Sequence, residues 1–136
     1  MALMMVMLVL LLGSGLLHAT RQQLDASLSL VADERHYLLE KHQALSALAW
    51  GTRLAWAARP GWQCRQQRQF GWRACFLLMD NGEALLRGSR CCSASDPIAL
   101  WQWLASTESE RWQPLAHGWL DFCPFSRPEA CLPDET

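Results

Sequence analysis

The first twenty residues contain no lysine, arginine, aspartate or glutamate, and Met1 to Leu12 are all apolar. A helix of twenty residues is ~30 Å long, close to the hydrocarbon thickness of a bilayer. No basic residue precedes Arg21, and a cut after Ala19 would place bulky Leu17 where signal peptidase needs a small residue. The missing basic region and the bulky Leu17 disfavour a cleaved signal peptide. The uncharged apolar run predicts a transmembrane helix over residues 1–20.

Proline is absent before Pro60, so the helix can continue beyond the span. An apolar residue recurs every seventh position, at Leu10, Leu17, Leu24, Val31, Leu38 and Leu45, and Leu28, Ala49 and Trp56 fall on the accompanying spacing of three or four residues. This spacing predicts an amphipathic helix over residues 21–58, with charged residues, Glu40 among them, off or beside the apolar stripe. We expect the stripe to pack against partner helices or against the domain of the same chain. The helix should fray near Gly51 and end before Arg59, because Pro60 disfavours a helical conformation in the preceding residue.

Gly13 and Gly15 interrupt the apolar run. Glycine inside a helix costs ~1 kcal/mol relative to alanine, so we expect local bending or melting here. Two other uses stay open: small residues let a neighbouring helix approach closely, and they are also tolerated in lipid.

The chain has no excess of charge, since 12 basic and 13 acidic residues give a formal net charge of -1. This balance gives no electrostatic case for nucleic-acid binding. It also provides no polybasic patch for a membrane surface. Residues 59–136 are enough for one small domain and leave no room for a second core.

No cysteine precedes Cys64, and all six lie in the last part of the chain. Six cysteines in a small domain indicate an oxidising compartment. Short loops across expected turns favour the disulfides Cys64–Cys75 and Cys123–Cys131, each worth ~2–4 kcal/mol. Cys91 and Cys92 are adjacent, and their state stays open. Arg21 and Arg35 follow the span, and positive residues beside a span tend to lie in the cytoplasm. The cysteines indicate an oxidising compartment on the other side of the membrane, and we give them more weight.

Short aromatic-rich segments after Gly61 predict a β-rich domain and an α+β fold. Asp80-Asn81-Gly82 separates two apolar segments and predicts a hairpin, because Asn-Gly accepts the positive φ angles of a two-residue turn. Residues 98–105 predict a third strand, with a helix as the alternative. Another strand is expected from Trp112 and residues 118–122, followed by an irregular tail held by the second disulfide.

Candidate catalytic and metal-binding residues lack the spacing that such chemistry needs. His117, Asp121 and Cys123 have no recognisable catalytic pattern, and Cys123 is better assigned to a disulfide. His36 and His42 are six residues apart, whereas a helical metal site needs neighbours at i and i+4. We therefore predict no enzyme, cofactor or metal, and nothing nominates the ionisable cleft that a tethered enzyme would need. The eight tryptophans are interpreted as core and interface residues instead of a carbohydrate- or ligand-binding surface.

The apolar start, the Gly13-Ser14-Gly15 break, the long polar helix and the small cysteine-containing domain resemble a mature type IV pilin or type II secretion pseudopilin. The similarity is closest to minor prepilins of the YgdB type, through residues 46–51 and residues 118–124. It implies a long helix packed on a small antiparallel sheet domain. Residues 1–20 would form the transmembrane and filament-core helix, residues 21–58 its continuation, and residues 59–136 the disulfide-containing domain.

The resemblance also implies a life cycle. A prepilin peptidase would remove a short basic leader and methylate Met1, and Gly13 and Gly15 would loosen the helix on entry into the filament. The chain would reside in the bacterial inner membrane with its domain in the periplasm, and then at the filament tip. Its partners would be other minor and major pilins, contacted through the N-terminal helix.

Met5 departs from the pilin pattern, because most pilins carry a glutamate there that is assigned to pair with the N-terminal amine of the neighbouring subunit. An unpaired carboxylate in lipid costs several kcal/mol, so methionine makes membrane residence easier and removes one docking contact. This change fits a subunit that initiates a pilus or pseudopilus. The alternative is a single-span envelope scaffold with a periplasmic coiled coil and a small domain, for which Met1 is the translation start.

Overall fold

A computed structural model describes residues 1–92, 97–107 and 111–133. The chain divides into two compact units, Met1–His36 and Tyr37–Thr136. The elements in order are α1 (Ala2–Gly51), β1 (Trp62–Gln67), β2 (Trp72–Leu78), β3 (Glu83–Arg90), β4 (Ala99–Ser106), β5 (Trp112–Leu120) and a short 3-10 helix (Pro128–Cys131). The fold is therefore α+β, as predicted.

α1 ends at Gly51, so the prediction that it continues to residue 58 is wrong. The amides of Arg53 and Leu54 turn back to the carbonyls of Trp50 and Gly51 at 3.0 and 3.3 Å. The indole Nε1 of Trp56 also donates to the Gly51 carbonyl, at 2.8 Å. The Trp56 side chain thus donates to a carbonyl that, in a longer helix, would accept a hydrogen bond from a backbone amide of the next turn. Trp56 matched the helical spacing, but its ring packs on the sheet from an irregular segment.

The five strands form one antiparallel sheet in the order β1-β2-β3-β4-β5. Each strand pairs with its neighbour in sequence, so short connections are sufficient. β3 lies in the middle, and its residues from Ala84 to Ser89 are all buried. Residues 99–106 form a strand instead of the helix that was considered for this region.

The β2–β3 hairpin lies where Asp80-Asn81-Gly82 predicts it, but its turn is not the expected two-residue type. Gly82 has a φ of +83°, whereas Asn81 is not among the residues with positive φ. The Met79 amide donates to the Glu83 carbonyl at 2.9 Å, and the Asn81 side-chain oxygen accepts from the Glu83 amide at 3.0 Å. The connection therefore has three residues, with glycine alone in the left-handed position.

The two faces of the sheet bury different parts of the chain. On the helix face, Leu48 of α1 packs with sheet residues including Phe76, Leu86 and Leu100. On the opposite face, called here the tail face, Leu85 and Trp101 pack with residues of the C-terminal segment. The segment is held there by Cys131 and by a 3.2 Å hydrogen bond from Trp62 Nε1 to the Ala130 carbonyl. Alternation along each strand explains both clusters, since neighbouring residues point to opposite faces.

Close approach of α1 to the sheet depends on small residues. A Cβ atom added at Gly88 would lie 2.5 Å from the Ala44 carbonyl oxygen and 2.7 Å from the Leu48 amide nitrogen. A Cβ atom at Gly51 would lie 2.9 Å from the Cβ of Ala74. The helix therefore sits directly on the backbone of β3, where no larger side chain fits.

Candidate interaction surfaces

The unit Met1–His36 is helical from Ala2, and its large apolar side chains are each at least 57% exposed. α1 is long and apolar enough to cross a membrane. Burying apolar surface is favourable by ~25 cal/mol per Å², so such a helix is not stably solvated by water alone. Lipid or other apolar helices are the environments that match this surface.

The predicted packing residues Leu10, Leu17, Leu24 and Val31 all belong to this exposed unit. A spacing of seven residues keeps them nearly in line, with a drift of ~20° per heptad. Together they provide a continuous apolar line for a helical partner.

The stripe continues to Leu38 and Leu45 in the second unit, where they are 45% and 38% exposed. The face of α1 that is buried there consists of other residues: Glu40, Ala44, Ala47, Leu48 and Gly51. Leu38 and Leu45 are thus not part of the buried face of α1, and the use of the stripe stays a prediction. Leu38 and Leu45 lie beside the sheet contact and keep much of their surface accessible.

α1 is unbroken at Gly13 and Gly15, so the helix is not melted there, and bending at these residues stays a prediction. Ser14 Oγ donates to the Leu11 carbonyl at 3.0 Å, as a serine in a regular helix can. No atom lies within 4 Å of a Cβ added at either glycine. Two residues along a helix correspond to a rotation of ~200°, so each glycine leaves a small gap on a different side of the helix where another backbone could approach. Loosening of this segment during filament entry stays a prediction.

Met1 and Met5, the two residues singled out at the N-terminus, are both exposed. The Met5 amide donates to the Met1 carbonyl at 3.4 Å, so the helix begins at the terminus. Both side chains are accessible to lipid, to an enzyme or to a neighbouring subunit.

Both disulfides favoured from the sequence are present, Cys64–Cys75 and Cys123–Cys131. Cys64 lies directly opposite Cys75 in the β1–β2 register. Cys123 is disulfide-bonded, so it has no free thiol that could act as a nucleophile with His117 or Asp121 as its base. His117 and Asp121 are both exposed. His36 and His42 lie in different units, and both are exposed. Within residues 1–92, 97–107 and 111–133, no group of three His, Cys, Asp or Glu side chains could hold a metal.

The tryptophans mostly pack within the second unit. Trp56 stacks on Phe76 with ring centroids 5.3 Å apart, and Trp112 meets the same ring edge-on at 5.0 Å. Trp50 contacts Trp72 at 6.5 Å. Trp119 is the tryptophan with substantial exposure, at 41%. The arrangement favours the packing interpretation over a row of ligand-binding rings.

A cleft of about 540 Å³ lies between residues 52–56 and residues 111–113. Arg53 and Arg111 line it together with Trp56 and Trp112. Guanidinium groups can contact carboxylates or phosphates, and indole rings add apolar surface. Among the described residues that line it, none is an acid or a histidine that could act as a general base. Sequence analysis missed this cleft because its two sides are far apart in the chain.

Glu40 was assigned to the polar side of the helix, but it is only 8% exposed. Its Oε1 lies 3.8 Å from Arg90 Nη1, at the end of β3. The i, i+4 spacing from Glu40 to Ala44, followed by Ala47, Leu48 and Gly51, is the signal that could have identified the buried face. This face is made mainly of small residues, so the seven-residue spacing of large apolar residues does not reveal it.

These features define a class of protein: an exposed apolar N-terminal helix followed by a small α+β domain with two disulfides. The chain belongs to the family described as "Protein of unknown function (DUF2509)", whose family model matches residues 8–131. That range includes most of α1 and all five strands. No curated protein and no solved structure matches the chain.

Proposed function

We propose that this protein is a minor pilin that helps to initiate a type IV pilus or a type II secretion pseudopilus, near the filament tip. The observation that carries this proposal is the exposed apolar surface of the unit Met1–His36. It is supported by the sequence resemblance to minor prepilins and by the disulfide-bonded α+β domain that follows.

The proposed mechanism uses one surface in two environments. In the inner membrane, lipid chains cover residues 1–20, which carry no charged side chain. During assembly, helices of other minor and major pilins replace the lipid. Because lipid chains are as apolar as leucine, packing and close approach must drive this exchange. Gly13 and Gly15 lie on different sides of the helix, and each leaves open space for such an approach.

The second unit has a different part in the proposal. Disulfides form in the periplasm, which agrees with a domain on that side of the inner membrane. Its sheet has two edge strands, β1 and β5, whose outer backbone groups can meet neighbouring subunits. The helix assembles the filament, and the domain selects neighbours.

Met5 fits an initiating subunit. A repeating subunit of the pilin family uses glutamate at this position to dock with its neighbour's amine, and Met5 offers no such charge. A subunit at the tip needs fewer docking contacts than one within the filament, and an apolar side chain here also lowers the cost of membrane residence.

The N-terminus provides the test. We expect intact-mass and peptide mass spectrometry of the chain isolated from membranes to show a methylated Met1, produced from a precursor by prepilin peptidase. A strain lacking the peptidase is the matched control, and it should accumulate the heavier precursor. Translation that starts at Met1, with no processing in either strain, would contradict the pilin proposal and favour the envelope scaffold.

A further inference from the structure

Cys91 and Cys92 follow β3 and are adjacent in the chain. Their Sγ atoms lie 2.7 Å apart. Ordinary non-bonded contacts between heavy atoms are ~3.5–4.0 Å, whereas the sulfurs of a disulfide are ~2.05 Å apart. The two sulfurs are therefore much closer than unrelated side chains and need only a small movement to bond.

The other four cysteines are paired with each other, as Cys64–Cys75 and Cys123–Cys131. Cys91 and Cys92 consequently have no further cysteine partner within the same chain. Any intramolecular disulfide that they form must join them to each other.

The backbone at this position is unusual. Cys92 has a φ of +65°, in the left-handed region that side chains with a Cβ rarely adopt. The preceding residue is fixed, because the Cys91 amide donates to the Gly71 carbonyl at 2.9 Å. Backbone strain of this kind persists only where the surrounding structure holds it. Here it occurs at the residue whose sulfur contacts that of Cys91.

The two sulfurs have different access to solvent. Cys91 is 4% exposed, and Cys92 is an exposed residue. Burial raises the pKa of the Cys91 thiol, and the hydrogen bond and charge of Cys92 raise it further, against the opposing effect of Arg68 and Arg73. The exposed Cys92 is thus the sulfur that a reagent reaches first, and Cys91 is the one positioned to follow.

We propose that Cys91 and Cys92 form a vicinal disulfide in the oxidising compartment. The oxidant is a disulfide, either of a small molecule or of a protein. The Cys92 thiolate attacks one sulfur of the oxidant, breaks its S–S bond and releases one thiolate. Cys91, after losing its proton to solvent, attacks the Cys92 sulfur and expels the second thiolate. Two protein thiols are oxidised to one disulfide, and the oxidant is reduced to two thiols.

The vicinal disulfide would prevent the exposed Cys92 from reacting with other thiols and disulfides. An exposed free thiol in an oxidising compartment forms mixed disulfides and links copies of the chain. Joining it to its neighbour removes that reactivity without involving the two disulfides that hold the domain. It would also fix the backbone at the end of β3 in its left-handed conformation.

The test is a tryptic map of the full chain, isolated from bacterial envelopes in detergent and denatured with an alkylating reagent without reductant. Trypsin cuts after Arg90 and Arg111, so Cys91 and Cys92 share a peptide that contains no other cysteine. We expect this peptide to be unalkylated and lighter by two hydrogen atoms than after reduction. Alkylation of both residues, or linkage of the peptide to any other peptide, would overturn the proposal.

Three comparisons make the result specific. Cys64 and Cys75 fall in different tryptic peptides, so the linked pair from residues 54–65 and 74–87 shows that disulfides survive the procedure. The variant Cys92→Ser should leave one alkylated thiol, at Cys91. A reduced wild-type chain treated with oxidised glutathione should lose both thiols of this peptide and retain no glutathione there. A stable glutathione adduct on Cys92 would contradict ring closure by Cys91.

Discussion

Individual residues decide how closely α1 approaches the sheet. Gly88 is opposite Ala74 on β2 and Leu100 on β4, and it lies under Ala44 and Leu48 of the helix. A larger residue usually stabilises a strand because its side chain packs against neighbours. At Gly88 the helix backbone occupies the space that such a side chain would need. Gly88 therefore controls the packing of the helix face more directly than the large residues around it.

We expect Gly88→Ala to destabilise the second unit by ~1–3 kcal/mol, the range for inserting atoms into a packed core. The added Cβ would lie 2.5 Å from a backbone oxygen, and backbone moves less readily than a side chain. Tryptophan fluorescence of the full chain in detergent, followed through denaturant unfolding, reports on this unit because all eight tryptophans lie at or after Trp50.

Gly13→Ala is the matched control, since its Cβ would meet no atom within 4 Å. It should leave the fluorescence transition unchanged. A Gly88→Ala chain as stable as the wild type would show that the helix does not pack on β3 as described.

At the scale of elements, the C-terminal segment behaves as a cover for the tail face. Cys131 is buried with Leu85 and Trp101, and Cys123 and Phe125 pack beside them. Because the segment has little regular structure besides its short 3-10 helix, its position depends on the disulfide and on a few contacts. The disulfide thus helps to hold this segment on the sheet, where a regular strand would be held by backbone hydrogen bonds.

We expect the double variant Cys123→Ser/Cys131→Ser to lose ~2–4 kcal/mol of stability and to release the C-terminal segment. Limited chymotrypsin digestion should then cleave at Phe125, which is half-buried in the intact protein. The site of cleavage is read by mass spectrometry of the fragments.

Cys64→Ser/Cys75→Ser provides the comparison, because it removes a disulfide between two paired strands. It should lose a similar amount of stability but keep Phe125 protected under conditions where the chain is folded. Protection of Phe125 in both variants would mean that the disulfide does not hold the segment.

Local signals made several elements predictable from the sequence. The apolar start predicted the N-terminal part of α1, Asn81-Gly82 predicted the hairpin, and loop length predicted which cysteines pair. The end of α1 was placed too late because Trp56 fits the helical spacing while serving a tertiary contact with Phe76. The three-residue turn was missed because Asn81 uses its side chain, instead of a positive φ, to satisfy the loop.

Features that depend on distant residues could not be predicted in this way. The buried face of α1 is set by Gly88, which is far from Ala44 in sequence, and by the pairing of Glu40 with Arg90. The cleft between residues 52–56 and 111–113 also depends on residues that are far apart in the sequence. Periodicity shows that a helix has an apolar side, but only the fold shows whether that side meets the domain.

For the whole molecule, the decisive feature is that the leucine stripe is separate from the residues that pack on the sheet. Leu10, Leu17, Leu24 and Val31 are exposed in the first unit, and the second unit buries a different face of α1. Their surface is therefore exposed, as contact with lipid and then with other subunits would require. This division of roles is what the proposed function requires of a pilin helix.

Photo-crosslinking of the assembling helix tests this account most directly. A photoreactive residue in place of Leu10 or Leu17 should form adducts with other pilin subunits while filaments are assembling. Leu12 is the matched control at similar depth, since two residues along a helix correspond to a rotation of ~200°. We expect stronger adducts from positions 10 and 17 than from position 12. Adducts with lipid alone at all three positions, in cells that are forming filaments, would contradict the account.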